Sequence, residues 1–147
     1  MKKKLLIFII VLLLTGGLSA QTDLYLETIG VMGGTNLYLT FATIGLLADG
    51  YVDDVYDGDM TYAMVEEFIA LGQVYREYLQ ELLVNGDLTL EDRIFVRDMI
   101  SAFDDILAEA DALNKFVLSG EYKYLSDYDT NRQSAWNKIA RLMDLEE

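Results

Sequence analysis

Five carboxylates fall within eleven residues of one another, at Asp49, Asp53, Asp54, Asp57 and Asp59, on a stretch punctuated by Gly50 and Gly58. Hard cations take clustered oxygen ligands on flexible backbone, so these five are the candidate metal ligands and calcium is the candidate cofactor. The match to an EF-hand loop is partial. Counted from Asp53, Asp57, Gly58 and Asp59 stand at the fifth, sixth and seventh positions, but Val55 occupies the third and Met64 the place of the bidentate glutamate. The same residues have a plainer use: Asp57 or Asp59 caps a following helix, acids favour its positive end, and Gly50 ends the preceding one.

Two adjacent carboxylate pairs, Glu66-Glu67 and Asp104-Asp105, invite comparison with bundle-core metal sites and with two-carboxylate hydrolases. Di-iron bundles require Glu-x-x-His motifs, and adjacent acids on a helix point in different directions, so solvated helix faces explain both pairs. Among ten tyrosines, Tyr122, Tyr124 and Tyr128 cluster near the C-terminus with Lys123 between two of them. Aromatic rings with polar tips anchor binding surfaces, which makes these three the candidate partner-binding residues. The alternative is that they cover the end of a bundle.

Composition removes most other chemistry. The 147 residues include no Cys, no His and no Pro. Disulfides, Cys/His zinc sites, a histidine general base, thiol nucleophiles and covalent c-type haem are therefore excluded. The expectation is a protein that is not an enzyme.

The elements that must position these residues read as helices. Over residues 89–118, Val96, Met99, Phe103, Ile106, Ala110, Leu113 and Val117 recur at alternating spacings of three and four, widened by Ile100 and Leu107. Arg93, Arg97, Asp98, Asp104, Asp105, Glu109 and Asp111 are assigned to the wet side. Thr89 with Asp92 predicts a capping box, and Ser119-Gly120 a stop. Residues 60–84 repeat the pattern with Val65, Phe68, Gly72, Tyr75, Leu79 and Leu82, broadened by Met64, Leu71 and Tyr78. The short connection from Asn85 to Leu88 forces the two segments into an antiparallel hairpin.

Thr22 to Ala48 carries no charge after Glu27 and is apolar around most of its circumference, which predicts the central helix of the bundle, kinked near Gly33-Gly34 unless packing compensates for its glycines. A shorter segment, about 126–143, has Trp136, Ile139, Ala140 and Met143 on one stripe, and Arg132 four residues before Trp136 predicts a guanidinium stacked on the indole. The fold expectation is all-α: an antiparallel up-down four-helix bundle of three long helices and a shorter C-terminal one.

Ahead of it, Lys2 to Lys4, the apolar run Leu5 to Leu14 and the small-residue segment Thr15 to Ala20 have the layout of a secretory signal peptide. Residues 1–20 are expected to be removed, after Ala20 or alternatively Ser19, leaving 21–147 as one domain in the periplasm or secreted. Loss of the three lysines moves the formal charge from −14 to −17, with 8 basic against 25 acidic groups. Such a charge repels phosphate backbones and anionic headgroups, which argues against nucleic acid and favours a protein partner with a basic surface. Membrane association is expected only if the leader is retained, giving a membrane-embedded hairpin. The functional expectation is an exported non-enzymatic accessory module, protein-binding or structural, with a calcium-responsive domain built on residues 49–59 as a further alternative.

Overall fold

A computed structural model describes the backbone of residues 2–145 and the side chains of residues 25–145. Over the described residues the chain is all-α, with four helices: α1 (Lys2–Val52), α2 (Gly58–Asn85), α3 (Leu90–Ser119) and α4 (Tyr122–Leu142). Two compact units divide it, one ending at Gly33 and the other beginning at Gly34. The first is α-helical over its described residues, and Tyr25, Val31 and Met32 in it are exposed. The second contains residues 34–52 of α1 with α2, α3 and α4, and it is a four-helix bundle.

The helices of the bundle alternate in direction. Glu66 meets Asn114, Gly72 faces Leu107 and Arg76 meets Asp104, so α2 and α3 run antiparallel. Arg132 meets Glu109, Lys138 meets Asp105 and Arg141 meets Asp98, so α4 reverses again. Gly34 faces Met143 and Phe41 stacks on Trp136, which sets α1 antiparallel to α4.

Local signals end the helices where the sequence places them. Thr89 and Asp92 form a reciprocal capping box, with the Thr89 backbone N–H donating to Asp92 and the Asp92 N–H donating to Thr89 Oγ1. Asp57 caps α2 by accepting from the Met60 N–H at 2.8 Å. Gly120 closes α3 at φ 68°, the left-handed conformation in which a Cβ is penalised.

Several expectations are corrected. α1 does not stop at Gly50 but continues to Val52, and the turn is made beyond it by Asp54 at φ 57°. α4 begins at Tyr122 rather than near 126, so the tyrosine cluster lies inside a helix. α3 packs against both α2 and α4, with Met99, Ala102, Phe103, Ile106 and Ala110 fully buried. Enclosure on more than one side explains why Glu109, assigned to the wet face by periodicity, is buried instead. On α2 the buried line runs through Thr61, Val65, Gly72 and Leu79. Leu71 and Tyr78, read as part of its core stripe, are 64% and 69% exposed because α2 contributes so narrow a line to the core.

Candidate functional site

The most unusual chemistry lies where α3, α4 and the second half of α1 meet. Glu109 is fully buried on α3, and its Oε1 accepts from Arg132 Nη1 of α4 at 2.6 Å. The same Nη1 donates to the Phe41 carbonyl of α1 at 3.3 Å, and the guanidinium lies over the Phe41 ring, 4.1 Å from its centroid. A cation over an aromatic face and a charge-assisted hydrogen bond are both strengthened away from water. Gly45 makes this approach possible, since a methyl group there would collide with the guanidinium. One arginine thus ties three helices together.

The acid in this node is not fully satisfied. Glu109 Oε2 is buried and has no hydrogen-bond partner among the described residues. Burial penalises the charged form and raises the Glu109 carboxyl to about 7 from the ordinary 4.5, against the opposing pull of Arg132 and of the nearby Tyr128 hydroxyl. That hydroxyl is close enough to favour the carboxylate, although no bond of ordinary geometry joins it to Oε2. Tyr128 is itself buried, which pushes its phenol well above the ordinary value. Asn114, also buried, donates to Glu66 Oε1 at 2.7 Å and leaves its own Oδ1 unpartnered.

Outside this node is an open recess of about 370 Å³ lined by Phe41, Asp129, Arg132, Gln133 and Trp136. Glu109 does not line it. The carboxyl raised toward neutral pH therefore has no face on that recess, and general acid–base work needs direct reach or a bridging water.

The residues singled out from sequence are distributed differently from their spacing. Asp49 is on the last turns of α1, Asp53 and Asp54 lie in the turn, Asp57 is the α2 cap and Asp59 is in the first turn of α2. Among the described residues no group of three carboxylates is gathered to hold a metal ion. The three tyrosines are also not brought to one surface. Tyr122 is 81% exposed, Tyr124 is half-buried beneath Lys123, whose Nζ is 4.5 Å from its ring centroid, and Tyr128 belongs to the core. Helical geometry separates Tyr122 from Tyr124, because positions two apart point to different sides of a helix, whereas Tyr124 and Tyr128, four apart, share a side that is half-buried at the first and buried at the second.

Of the adjacent acids, Glu67 is exposed as a solvated face requires and Glu66 accepts from Asn114, but Asp104 and Asp105 are cross-links rather than free solvated groups. Asp104 pairs with Arg76 of α2, whereas Asp105 accepts from Lys138 and Ser134 of α4, each at 2.6 Å. Arg132 turns to Phe41 and Glu109 instead of stacking on Trp136, whose ring stacks on Phe41 at 5.7 Å. The signal that would have found Glu109 is its step of seven from Ala102 and its flanking by Ala108 and Ala110, small residues that admit neighbouring helices.

The segment Tyr25–Val52 is long and apolar enough to cross a membrane, and half of its most apolar window is buried inside the protein, a property shared by core helices of bundles. No family model matches the chain, and no curated protein or solved structure matches it either.

Proposed function

We propose that the chain is an exported, non-enzymatic helical-bundle module that binds a protein partner with a basic surface. The observation that supports this reading is the state of its cations. Arg76, Lys115, Lys123, Arg132, Lys138 and Arg141 each lie on a carboxylate of the same chain. Arg93 is occupied by the carbonyls of Leu83 and Gly86. Six cations are thus paired internally, Arg97 being exposed and without an ion pair among the described residues, while most of the 25 acids remain for the surrounding field, which steers basic surfaces toward the bundle.

The test has two arms. Mass spectrometry of the mature protein is expected to show an N-terminus at Gln21 or Ala20; an intact N-terminus that resists carbonate extraction would instead favour the membrane-embedded hairpin. The immobilised protein is then challenged with envelope extract at about 50 and about 300 mM salt, a range over which charge attraction between exposed groups is strongly screened. Retention of basic proteins that falls with salt supports the reading. Retention indifferent to salt and to partner charge overturns it.

A further inference from the structure

One exposed flank of α2 is apolar where a solvated helix would be polar. Met60, Leu71, Val74 and Tyr78 are 50%, 64%, 50% and 69% exposed. With half-buried Met64 and Leu82 they recur at spacings of three, four and, across Glu67, seven, forming a second seam on the flank of the helix beside the buried line of Val65, Gly72 and Leu79. A seam of this pattern on one helix is what an amphipathic partner helix packs against.

Its border decides the partner. Glu67 lies within the seam and Glu77 and Glu81 run beside it, all three exposed and without an ion pair or hydrogen bond among the described residues. Glu77 and Glu81 stand four apart, a like-charge spacing that destabilises a helix by a few tenths of a kcal/mol. Arg76, the single cation of α2, is committed to Asp104 of α3. A second copy packed seam to seam would bring these acids against their own kind. A helix with a leucine-type face bordered by Lys or Arg would bury the four apolar side chains and relieve the repulsion at once.

We infer that the α2 seam formed by Met60, Leu71, Val74 and Tyr78, edged by Glu67, Glu77 and Glu81, is a docking groove for a cationic amphipathic helix. The inference rests on the proposed basic-partner function and assigns it to one face.

The test uses the purified mature protein and three labelled synthetic probes followed by fluorescence anisotropy: a Lys/Leu amphipathic helix, a scrambled Lys/Leu peptide of equal charge, and a Glu/Leu helix. The Lys/Leu helix is expected to bind at least about tenfold more tightly than either control, a difference of about 1.4 kcal/mol. L71S/Y78S is expected to lower that affinity at least about tenfold while melting within a few degrees of the parent. E77Q/E81Q, which leaves the apolar seam intact, is expected to weaken binding and flatten its salt dependence. Equal binding of scrambled and helical probes, unaffected by L71S/Y78S, would overturn the seam and leave the broader acidic-surface reading standing. Failure of every cationic probe to bind would overturn both. Binding of the Glu/Leu helix as tight as that of the Lys/Leu helix would overturn the cationic assignment. Self-association lost in L71S/Y78S would show that a second copy occupies the groove, and would also overturn it.

Discussion

Two arginine–carboxylate pairs leave α3 in opposite directions, five residues apart: Asp104 to Arg76 of α2 and Glu109 to Arg132 of α4. Their chemistry is nearly the same and their surroundings are not. Asp104 and Arg76 keep 49% and 34% of their side chains exposed, so water still solvates both charges. Glu109 keeps none, and its carboxyl is raised to about 7 although an arginine touches it. Pairing does not by itself make a buried charge comfortable; the desolvation of one partner outweighs the attraction of the other. The exposed pair latches two helices cheaply, whereas the buried pair joins α3, α4 and α1 at the cost of a carboxyl that resists ionisation.

Removing the arginine from each pair should break the symmetry most sharply. Arg132→Met leaves Glu109 with no countercharge and is expected to cost about 3–5 kcal/mol at pH 8, read by chemical denaturation. At pH 5, where the neutral acid is tolerated, much of that loss should disappear. An equal loss at both pH values would mean that Arg132 acts through packing alone.

Glu109→Gln tests the same node from the other side. A carboxyl whose folded value lies above its ordinary 4.5 holds its proton more tightly in the folded chain. Its contribution to stability is therefore fully present below about 4.5 and is lost as pH rises through about 7. At about 1.36 kcal/mol per pH unit the difference approaches about 3 kcal/mol. The parent should lose stability from this group between pH 5 and pH 8, while the Gln variant should lose markedly less over the same interval. Urea titrations at matched ionic strength measure it, and parallel pH profiles for the two proteins would refute the assignment.

Gly45→Ala should follow, at about 1–3 kcal/mol, because the added methyl meets a guanidinium that Glu109 and Phe41 hold in place. The penalty should shrink in the Glu109→Gln background, where the arginine is freer to yield; an unchanged penalty would separate the two residues. Asp104→Asn is the smallest effect, about 0.2–1 kcal/mol and declining with added salt. A loss as large as that of Arg132→Met would erase the contrast between the pairs.

Much of the architecture was legible because caps and periodicity are local. Thr89, Asp92, Asp57 and Gly120 act where their types and spacing place them, and the short connection made α2 and α3 neighbours. The start of α4 was hidden because its cap, Glu121, makes no side-chain hydrogen bond and Tyr122-Lys123-Tyr124 alternates as a strand would. The site was harder to read because its members are chosen by neighbours distant in sequence. Flanking alanines stand on both sides of Glu109, which is buried, and equally of Asp111 two residues on, which is exposed and paired with Lys115, so only the step of seven from Ala102 separates the two in sequence. Leu71 and Tyr78 show the converse: a broad apolar stripe does not say which of its edges the neighbouring helices will cover.

The Arg132 bond to the Phe41 carbonyl spans 91 residues of chain. A ribosome delivers α1 first and α4 last, so the apolar face of α1 emerges long before the helix that seals it. The α2–α3 hairpin needs only nearby partners and can form while α1 waits. During that interval Leu37, Phe41, Ile44 and Leu47, all buried in the finished bundle, lie open to any holdase that recognises apolar helices. The bond that ties α1 to α4 can thus close only after the last helix has arrived.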